Sequence, residues 1–190
     1  MKGNMRQLLV FNSVTADGYF TDKKGDMSWA HKRDPEWNEF VADNSKSGGE
    51  LLFGRITFEM MASYWPTPAA ARQFPVVAEQ MNSLPKVVFS RTLDRVSWQN
   101  TRLLKGNLAD EVRKLKQEPG EQMVIMGSGS IISQLALENL IDEYQLVVNP
   151  IVLGAGRTMF DGLKEKLNLK LTKSRTFDNG NVWLCYQPAN

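Results

Sequence analysis

Three short segments combine glycine, hydroxyl groups and arginine in a way suited to binding an anion. Glycine lets the backbone approach a ligand closely, and the planar guanidinium group of arginine matches the oxygen atoms of phosphate. Serine and threonine add neutral hydrogen-bond donors. The segments are 54–57 (Gly-Arg-Ile-Thr), 90–92 (Ser-Arg-Thr) and 127–130 (Gly-Ser-Gly-Ser). Their chemistry predicts a site for phosphate groups.

Each segment follows a short apolar run, which predicts that each lies at the end of a buried β-strand. Apolar residues at helical spacing then follow two of the segments, over 55–65 and from Ile131 to Leu140. Ligands of open α/β sheets bind beyond the carboxyl ends of the strands, where helix N-termini attract anions. The three segments therefore indicate one site for a pyrophosphate and a further phosphate. This favours a phosphorylated dinucleotide such as NADPH.

The glycine turn at 127–130 does not follow the usual nucleotide-binding patterns. It reads G-x-G-x-x-I, because Ile132 stands where a dinucleotide fingerprint has its third glycine. No acidic residue ends the next strand, since Asp142 and Glu143 precede it. The chain also lacks the Gly-Lys-Ser/Thr run of a Walker loop. A nucleotide bound here must be held by another architecture.

Length and composition predict one cytoplasmic globular domain over residues 1–190. The formal net charge of +2 gives no reason to expect nucleic acid or an anionic membrane as a partner. One cysteine and one histidine, Cys185 and His31, exclude a Cys/His zinc site and an internal disulfide, and no metal is expected. A Ser-His-acid triad would have to use His31. The first apolar run is too short for a signal peptide or a membrane span.

The remaining patterns complete an α/β fold with a mixed central sheet and helices on both faces. The first strand is predicted over 8–14, followed by a long polar loop over 21–33 and a helix that starts after Asp34. The later elements are a short helix at 76–81, a short strand at 96–98, a helix at 107–116, a strand at 144–148, and an antiparallel hairpin at 168–186 around the turn 178–180.

Six segments match one known family in the same order and span nearly the whole chain. They are 13–18 (Ser-Val-Thr-Ala-Asp-Gly), 25–29 (Gly-Asp-Met-Ser-Trp), 52–59 (Leu-Phe-Gly-Arg-Ile-Thr-Phe-Glu), 87–91 (Val-Val-Phe-Ser-Arg), 124–129 (Val-Ile-Met-Gly-Ser-Gly), and 142–160 with its Asp-Glu-Tyr, Pro150 and Gly-Ala-Gly. The chain thereby resembles the dihydrofolate reductase fold, and in particular the reductase domain of the bifunctional deaminase–reductase of riboflavin biosynthesis.

The resemblance implies a set of residues that hold NADPH. The family binds this cofactor with the turn after its second strand, a serine-rich strand end and a glycine-rich turn that often contains a cis peptide, here Gly127–Ser128. Dihydrofolate reductases carry a cation where Ser130 stands, so Arg91 is expected to contact the 2′-phosphate instead. The residues implied in cofactor binding are Ala16, Gly54, Arg55, Thr57, Ser90, Arg91, Gly127, Ser128, Gly129 and Ser130.

The resemblance also implies residues near the substrate, each with a structural alternative. Asp34 would be the carboxylate that helps deliver a proton, but it also suits an N-cap, since Pro35 follows it. Asp17 could contact the substrate, or supply the proton if Asp34 is only a cap, although an Asp-Gly pair is also a turn signal. The aromatic walls would be Trp29, Trp37 and Phe53, all of which also suit a core. Contacts to a ribosyl phosphate on the substrate would come from Lys32, Arg33 or Arg157.

The function implied is that of an NADPH-dependent reductase similar to 5-amino-6-(5-phosphoribosylamino)uracil reductase. Its substrate would be a small pteridine-like, pyrimidine-like or carbonyl compound. Two alternatives stay open: a nucleotide-binding or sensing module without turnover, and a true dihydrofolate reductase, against which the weak match at Asp34 argues. Relatives are often homodimers, and the apolar C-terminal strands could support a dimer.

Overall fold

A computed structural model describes residues 5–30, 34–46, 48–127 and 129–189 of the chain. The strands are β1 (Leu8–Thr15), β2 (Tyr19–Thr21), β3 (Glu50–Gly54), β4 (Lys86–Phe89), β5 (Thr101–Leu104), β6 (Met123–Met126), β7 (Glu143–Asn149), β8 (Arg157–Thr158), β9 (Leu169–Thr176) and β10 (Val182–Pro188). The helices are α1 (Pro35–Ser45), α2 (Arg55–Tyr64), α3 (Pro68–Gln73), α4 (Pro75–Ser83), α5 (Leu108–Gln117) and α6 (Gly129–Leu137), with a 3-10 turn at Ser28–Ala30.

Eight strands form one mixed sheet in the order β5-β4-β3-β6-β1-β7-β10-β9. The first six of these strands are parallel, and β1 lies between β6 and β7. The hairpin of β9 and β10 continues the sheet, with β10 antiparallel to β7. The short strands β2 and β8 pair separately. A mixed sheet that ends in an antiparallel C-terminal hairpin confirms the expected fold class.

Helices cover both faces of the sheet, because alternate strand residues point to opposite sides. Leu52 packs into a core with Val112 of α5 and Ile132 of α6. Its neighbour Phe53 packs into a second core with Phe58 of α2. Parallel strands buried on both faces have continuous apolar runs, as at 51–53 in β3 and 87–89 in β4. None of the helices described by the structure is long and apolar enough to cross a membrane.

Two regions differ from the sequence prediction. Residues 96–98 do not form a strand: Trp98 is buried in the second core, and its indole nitrogen donates to Oδ1 of Asn82 at 2.8 Å. The edge strand is instead β5, three residues later. The helix predicted at 76–81 is part of α4, and α3 precedes it because Thr67 caps a helix that begins at Pro68.

Charged side chains close the amino edge of the parallel strands. Glu50, at the start of β3, accepts from buried Arg6 at 3.0 Å and from half-exposed Arg102 at 2.7 Å. Lys86, at the start of β4, is 0% exposed. Its ammonium group donates to the carbonyl oxygens of Met81, Asn82 and Leu84 at 2.6–3.2 Å and lies over the ring of Trp98. These contacts tie the start of the sheet to the end of α4.

Candidate functional site

A cleft of about 1040 Å³ opens at the opposite, carboxyl edge of the parallel strands. One side, the glycine part, is formed by the turns after β3 and β6 and by β8: Gly54, Arg55, Thr57, Gly127, Gly129, Ser130, Arg157 and Thr158. The other side, the apolar part, is formed by Phe11, Met27, Ala30, Trp37, Val41, Ile56, Met60, Met61, Trp65, Phe74 and Val77. The volume of the whole cleft is at the upper end of the range for small-molecule sites, and it is large enough for a dinucleotide and a small substrate together.

The glycine part brings two of the predicted segments into contact. Strands β3 and β6 are neighbours, with Leu52 opposite Ile125, so Gly54 and Gly127 reach the same edge. Gly127 has a φ of +78°, and a Cβ atom there would lie 3.1 Å from Cγ2 of Thr57. Only glycine fits this position without strain. The two helices α2 and α6 begin beside it, and their N-termini favour an anion.

The start of α6 is packed against the small ribbon of β2 and β8. A Cβ atom on Gly129 would lie 2.9 Å from the ring of Phe20 and 3.5 Å from the carbonyl oxygen of Thr158. The ribbon therefore forms one wall of the glycine part, and it places Arg157 at the cleft. Arg157, one of the predicted phosphate contacts, thus lies beside the residues predicted for the cofactor.

Arg55 lines the cleft but already has a partner. Its guanidinium group bonds Oε2 of Glu59 at 2.9 Å, one turn further along α2, and both side chains are about half exposed. A cation in the first turn of a helix opposes the helix dipole, and Glu59 offsets part of this effect. An anion in the glycine part would compete with Glu59 for Arg55.

Ser90 and Arg91 lie at the end of β4, outside the lining of the cleft. Phe89 is opposite Gly54 in the register, so this strand end lies next to the glycine part. The hydroxyl of Ser90 accepts the amide hydrogens of Thr92 and Leu93 at 3.2 and 3.1 Å, and Arg91 is exposed. Ser90 shapes the turn that presents Arg91 at the rim.

Asp34 is an N-cap. Its carboxylate accepts the amide hydrogen of Trp37 at 2.9 Å, and its φ and ψ are extended, as expected for a residue just before a helix. The residue does not line the cleft. Asp34 therefore caps α1, as the structural alternative expects, and its catalytic role stays a prediction.

Asp17 ties two loops together. Its carboxylate accepts from the hydroxyl of Thr15 at 2.6 Å and from the amides of Leu153 and Gly154 at 2.7–3.3 Å. The hydrogen bond from Thr15, followed by the amide bonds, holds the pKa of Asp17 below its ordinary value. A carboxylate with a lowered pKa is a poor proton donor, so these bonds favour the turn-forming alternative, and the catalytic role of Asp17 stays a prediction. Neighbouring Ala16 donates its amide hydrogen to Ile151 and does not line the cleft.

Of the three aromatic residues predicted as substrate walls, Trp37 alone lines the cleft. Phe53 is 0% exposed and packs against Phe58 and Trp98, so it is a core residue. Trp29 lies in the 3-10 turn between two lining residues, Met27 and Ala30, and its indole nitrogen is buried without a partner among the described residues. Both departures arise because aromatic residues suit a core and a cleft equally well.

Several lining residues were missed from the sequence. Met60 and Met61 follow the regular spacing of an amphipathic helix, which also predicts a core face. Asn12 lies within the apolar first strand and lines the floor of the cleft.

Three of the predicted site residues lie outside the described part of the chain: Lys32, Arg33 and Ser128. The predicted cis peptide also lies outside it, because that bond joins Gly127 to Ser128. Within the described ranges, no group of three or more His, Cys, Asp or Glu residues could hold a metal ion.

A family model described as the RibD C-terminal domain matches residues 6–183. Among curated proteins, the chain is similar to the uncharacterized protein YyaP of Bacillus subtilis (strain 168), with 31% identity over 98% of both chains. Among solved structures, it is similar to a putative riboflavin biosynthesis protein from Shewanella sp. PV-4. That likeness has a TM-score of 0.76 and 26% identity, and covers 97% of this chain and 99% of the other.

Two more distant structures share the fold. The deaminase/5-amino-6-(5-phosphoribosylamino)uracil reductase of Thermotoga maritima matches with a TM-score of 0.70 at 14% identity, over 97% of this chain and 57% of the other. Dihydrofolate reductase from Enterococcus faecalis, solved with NADP(H), matches with a TM-score of 0.64 at 14% identity over 97% of both chains. The expected dihydrofolate-reductase-like fold is therefore confirmed.

Proposed function

Because the chain belongs to the RibD C-terminal domain family, we propose that it is an oxidoreductase that uses NADPH to reduce a small molecule. The observation that carries the proposal is the meeting of two strand ends in the glycine part. There, Gly127 fits against Thr57, and α2 and α6 both begin. Two helix N-termini that meet at a close-packed glycine turn are suited to a pyrophosphate.

The proposed cofactor contacts follow from this arrangement. The glycine part would hold the pyrophosphate through backbone groups of Gly54, Gly127 and Gly129, with the side chains of Arg55 and Ser130 at its edge. Arg91, on the next strand end, would bind the 2′-phosphate. Ser90 would act by shaping that turn, and Ala16 by anchoring the end of β1.

When bound, NADPH supplies a hydride, and the residues of the chain would orient it and exclude water. The apolar part is suited to excluding water from the reacting groups. Asp161 is the acidic residue among the described lining, and it is exposed. With Asp17 and Asp34 both engaged in structural hydrogen bonds, the proton would come from water.

Arg91→Ala tests the cofactor, with Arg95→Ala as the matched control on the same exposed loop. Loss of a charge-assisted contact costs about 1.5–3 kcal/mol, which is about tenfold or more in affinity. Fluorescence titration of the Arg91 variant should show this loss for NADPH and little change for NADH, while the Arg95 variant binds both normally. If the unmodified protein binds neither cofactor, or binds both equally, the proposal is wrong.

The capping role of Asp34 favours one second candidate, a module that binds the nucleotide without turnover. A substrate screen that monitors NADPH oxidation separates the two, since a sensing module binds NADPH but never consumes it. The homodimer expected from relatives stays a prediction. Sedimentation equilibrium of the purified protein would measure its mass in solution.

A further inference from the structure

Resting on the reductase proposed above, we infer that the substrate is an uncharged, flat carbonyl compound without a phosphate group. This differs from the substrate named for the Thermotoga reductase, which carries a phosphoribosyl group. The inference depends on where the charges of the cleft lie and on what lines the rest of it.

The cations that line the cleft are on its glycine side. Among the described residues they are Arg55, at the start of α2, and Arg157, on β8. Arg157 is next to Thr158, whose carbonyl oxygen lies near Gly129, so both cations flank the proposed pyrophosphate site. A second phosphate, on the substrate, would find no described cation in the apolar part. Placing a phosphate against apolar walls without a partner is strongly unfavourable.

The apolar part contains large hydrophobic side chains that are exposed to solvent. Ile56 and Met60 are 66% and 44% exposed, stand one turn apart on α2, and both line the cleft. Trp37, on α1, is 8% exposed and also lines the cleft. Removing such apolar surface from water favours binding by about 25 cal/mol per Å². A flat, uncharged ring would gain this stabilisation, whereas a charged group would oppose it.

One buried amide on the floor of the cleft is suited to a carbonyl group. Asn12, on the central strand β1, is 5% exposed and lines the cleft. Its side-chain nitrogen donates to the sulfur of Met159 at 3.1 Å. A thioether is a weak acceptor, so a substrate carbonyl would be a better partner for this donor. We therefore assign Asn12 as a residue that determines specificity for a neutral carbonyl.

The test uses three ligands with flat, three-ring systems that carry two carbonyl groups. Lumichrome is uncharged and has no side chain, riboflavin carries a polyol chain on the isomeric ring system, and riboflavin 5′-phosphate adds a phosphate to that chain. Calorimetry with the full-length protein, with and without saturating NADP⁺, should show binding of lumichrome and riboflavin about tenfold tighter than that of the phosphate. The inference is overturned if the phosphate binds as tightly as riboflavin, or if lumichrome does not bind.

Substitutions show which residues cause the preference for an uncharged ligand. Met27→Lys places a cation in the apolar part, and should weaken lumichrome binding by about tenfold while strengthening binding of the phosphate. Val152→Lys, at a position that is 69% exposed and outside the cleft lining, should change neither. Asn12→Leu should weaken lumichrome by about fivefold. Alanine at Lys32 and Arg33 should leave the affinity for riboflavin 5′-phosphate unchanged, and a selective loss of that affinity would show that these residues bind phosphate.

A titration with NADPH separates this inference from the proposed function. Normal NADPH binding together with a preference for the phosphate ligand would contradict the neutral substrate and leave the proposed reductase intact. Absence of NADPH binding would contradict the proposed reductase, and the ligand series measured without cofactor would still show whether the apolar part prefers an uncharged ligand.

Discussion

The two edges of the parallel sheet differ in what their polar groups do. At the amino edge, Glu50 joins Arg6 to Arg102, and the buried ammonium of Lys86 bonds three carbonyl oxygens. At the carboxyl edge, glycine stands at the ends of β3 and β6, and the partner that the structure describes for Arg55 is half-exposed Glu59 on the same helix. The charges of the amino edge are satisfied within the chain, whereas the carboxyl edge leaves room for a ligand.

This difference predicts two classes of variant. A substitution at the amino edge should change the free energy of unfolding and leave ligand affinity alone. A substitution at the carboxyl edge should change affinity more than stability. The following changes test that separation, beginning with the largest expected effect.

Glu50→Gln should destabilise the protein by about 3–5 kcal/mol, because it leaves the buried charge of Arg6 without its counter-ion. Urea denaturation measures this change. Glu118→Gln removes the exposed partner of Arg102 and should cost less than about 1 kcal/mol. If the two variants lose equal stability, the buried ion pair does not hold the amino edge.

Lys86→Met should remove a pH dependence on the alkaline side. Burial lowers the pKa of Lys86 to about 8 from an ordinary value of 10.5. Between these two values the unfolded chain keeps a proton that the folded chain has lost, so Lys86 makes stability rise with pH. Between pH 8 and 10.5, the free energy of unfolding should therefore rise by about 2 kcal/mol because of Lys86.

Other groups oppose this trend, so the comparison with the variant is essential. Burial raises the pKa of Tyr144 and of Cys185 to about 12, and both shifts make stability fall at high pH. These groups are present in both proteins, and the difference between the two stability curves isolates Lys86. Parallel curves between pH 8 and 10 would show that the lysine does not titrate there.

Gly127→Ala should cost about 1–2 kcal/mol of stability, since its φ of +78° is strained for alanine. It should also weaken NADPH by about tenfold, because the methyl group would press on Thr57 in the glycine part. Gly154→Ala is the matched control: its φ is +71°, but nothing lies within 4 Å of its Cβ position. Similar losses of stability with unequal NADPH affinities would support the site.

Asp34→Asn should change almost nothing. Asparagine caps a helix nearly as well as aspartate, so stability should stay within about 0.5 kcal/mol, whereas Asp34→Ala should lose about 1 kcal/mol. Turnover of an identified substrate should be unchanged in the asparagine variant. A fall in turnover of about 100-fold or more, with stability intact, would restore Asp34 as a catalytic acid.

The features that the sequence predicted depend on neighbouring residues. An apolar run followed by Gly-Arg or Gly-Ser marks a strand end, and the parallel register then brings Gly54 and Gly127 to one edge. The cap at Asp34 is also local, since its partner Trp37 is three residues away. The glycine part of the cleft could therefore be predicted from local sequence patterns.

The features that could not be predicted depend on residues far apart in the chain. Arg6 and Glu50 are 44 positions apart, and Asn12 and Met159 are 147 positions apart. The spacing of Met60 and Met61 on α2 suits a core as well as a cleft, and the position of α1 relative to α2 decides between them. Phe53 shows the opposite error, because a residue just before a glycine turn can still point into the core.

The place of β1 in the sheet has a consequence for synthesis of the chain. This apolar strand is made first, yet its two neighbours begin at Met123 and Glu143. At about 5–20 residues per second, it waits roughly 5–25 s for them. Over that time Leu8, Leu9 and Val10, which are at most 6% exposed in the finished fold, have no strand to pair with. Nascent chains that stop before Met123 should therefore aggregate or recruit chaperones, whereas the folded domain buries the same strand at the centre of its sheet.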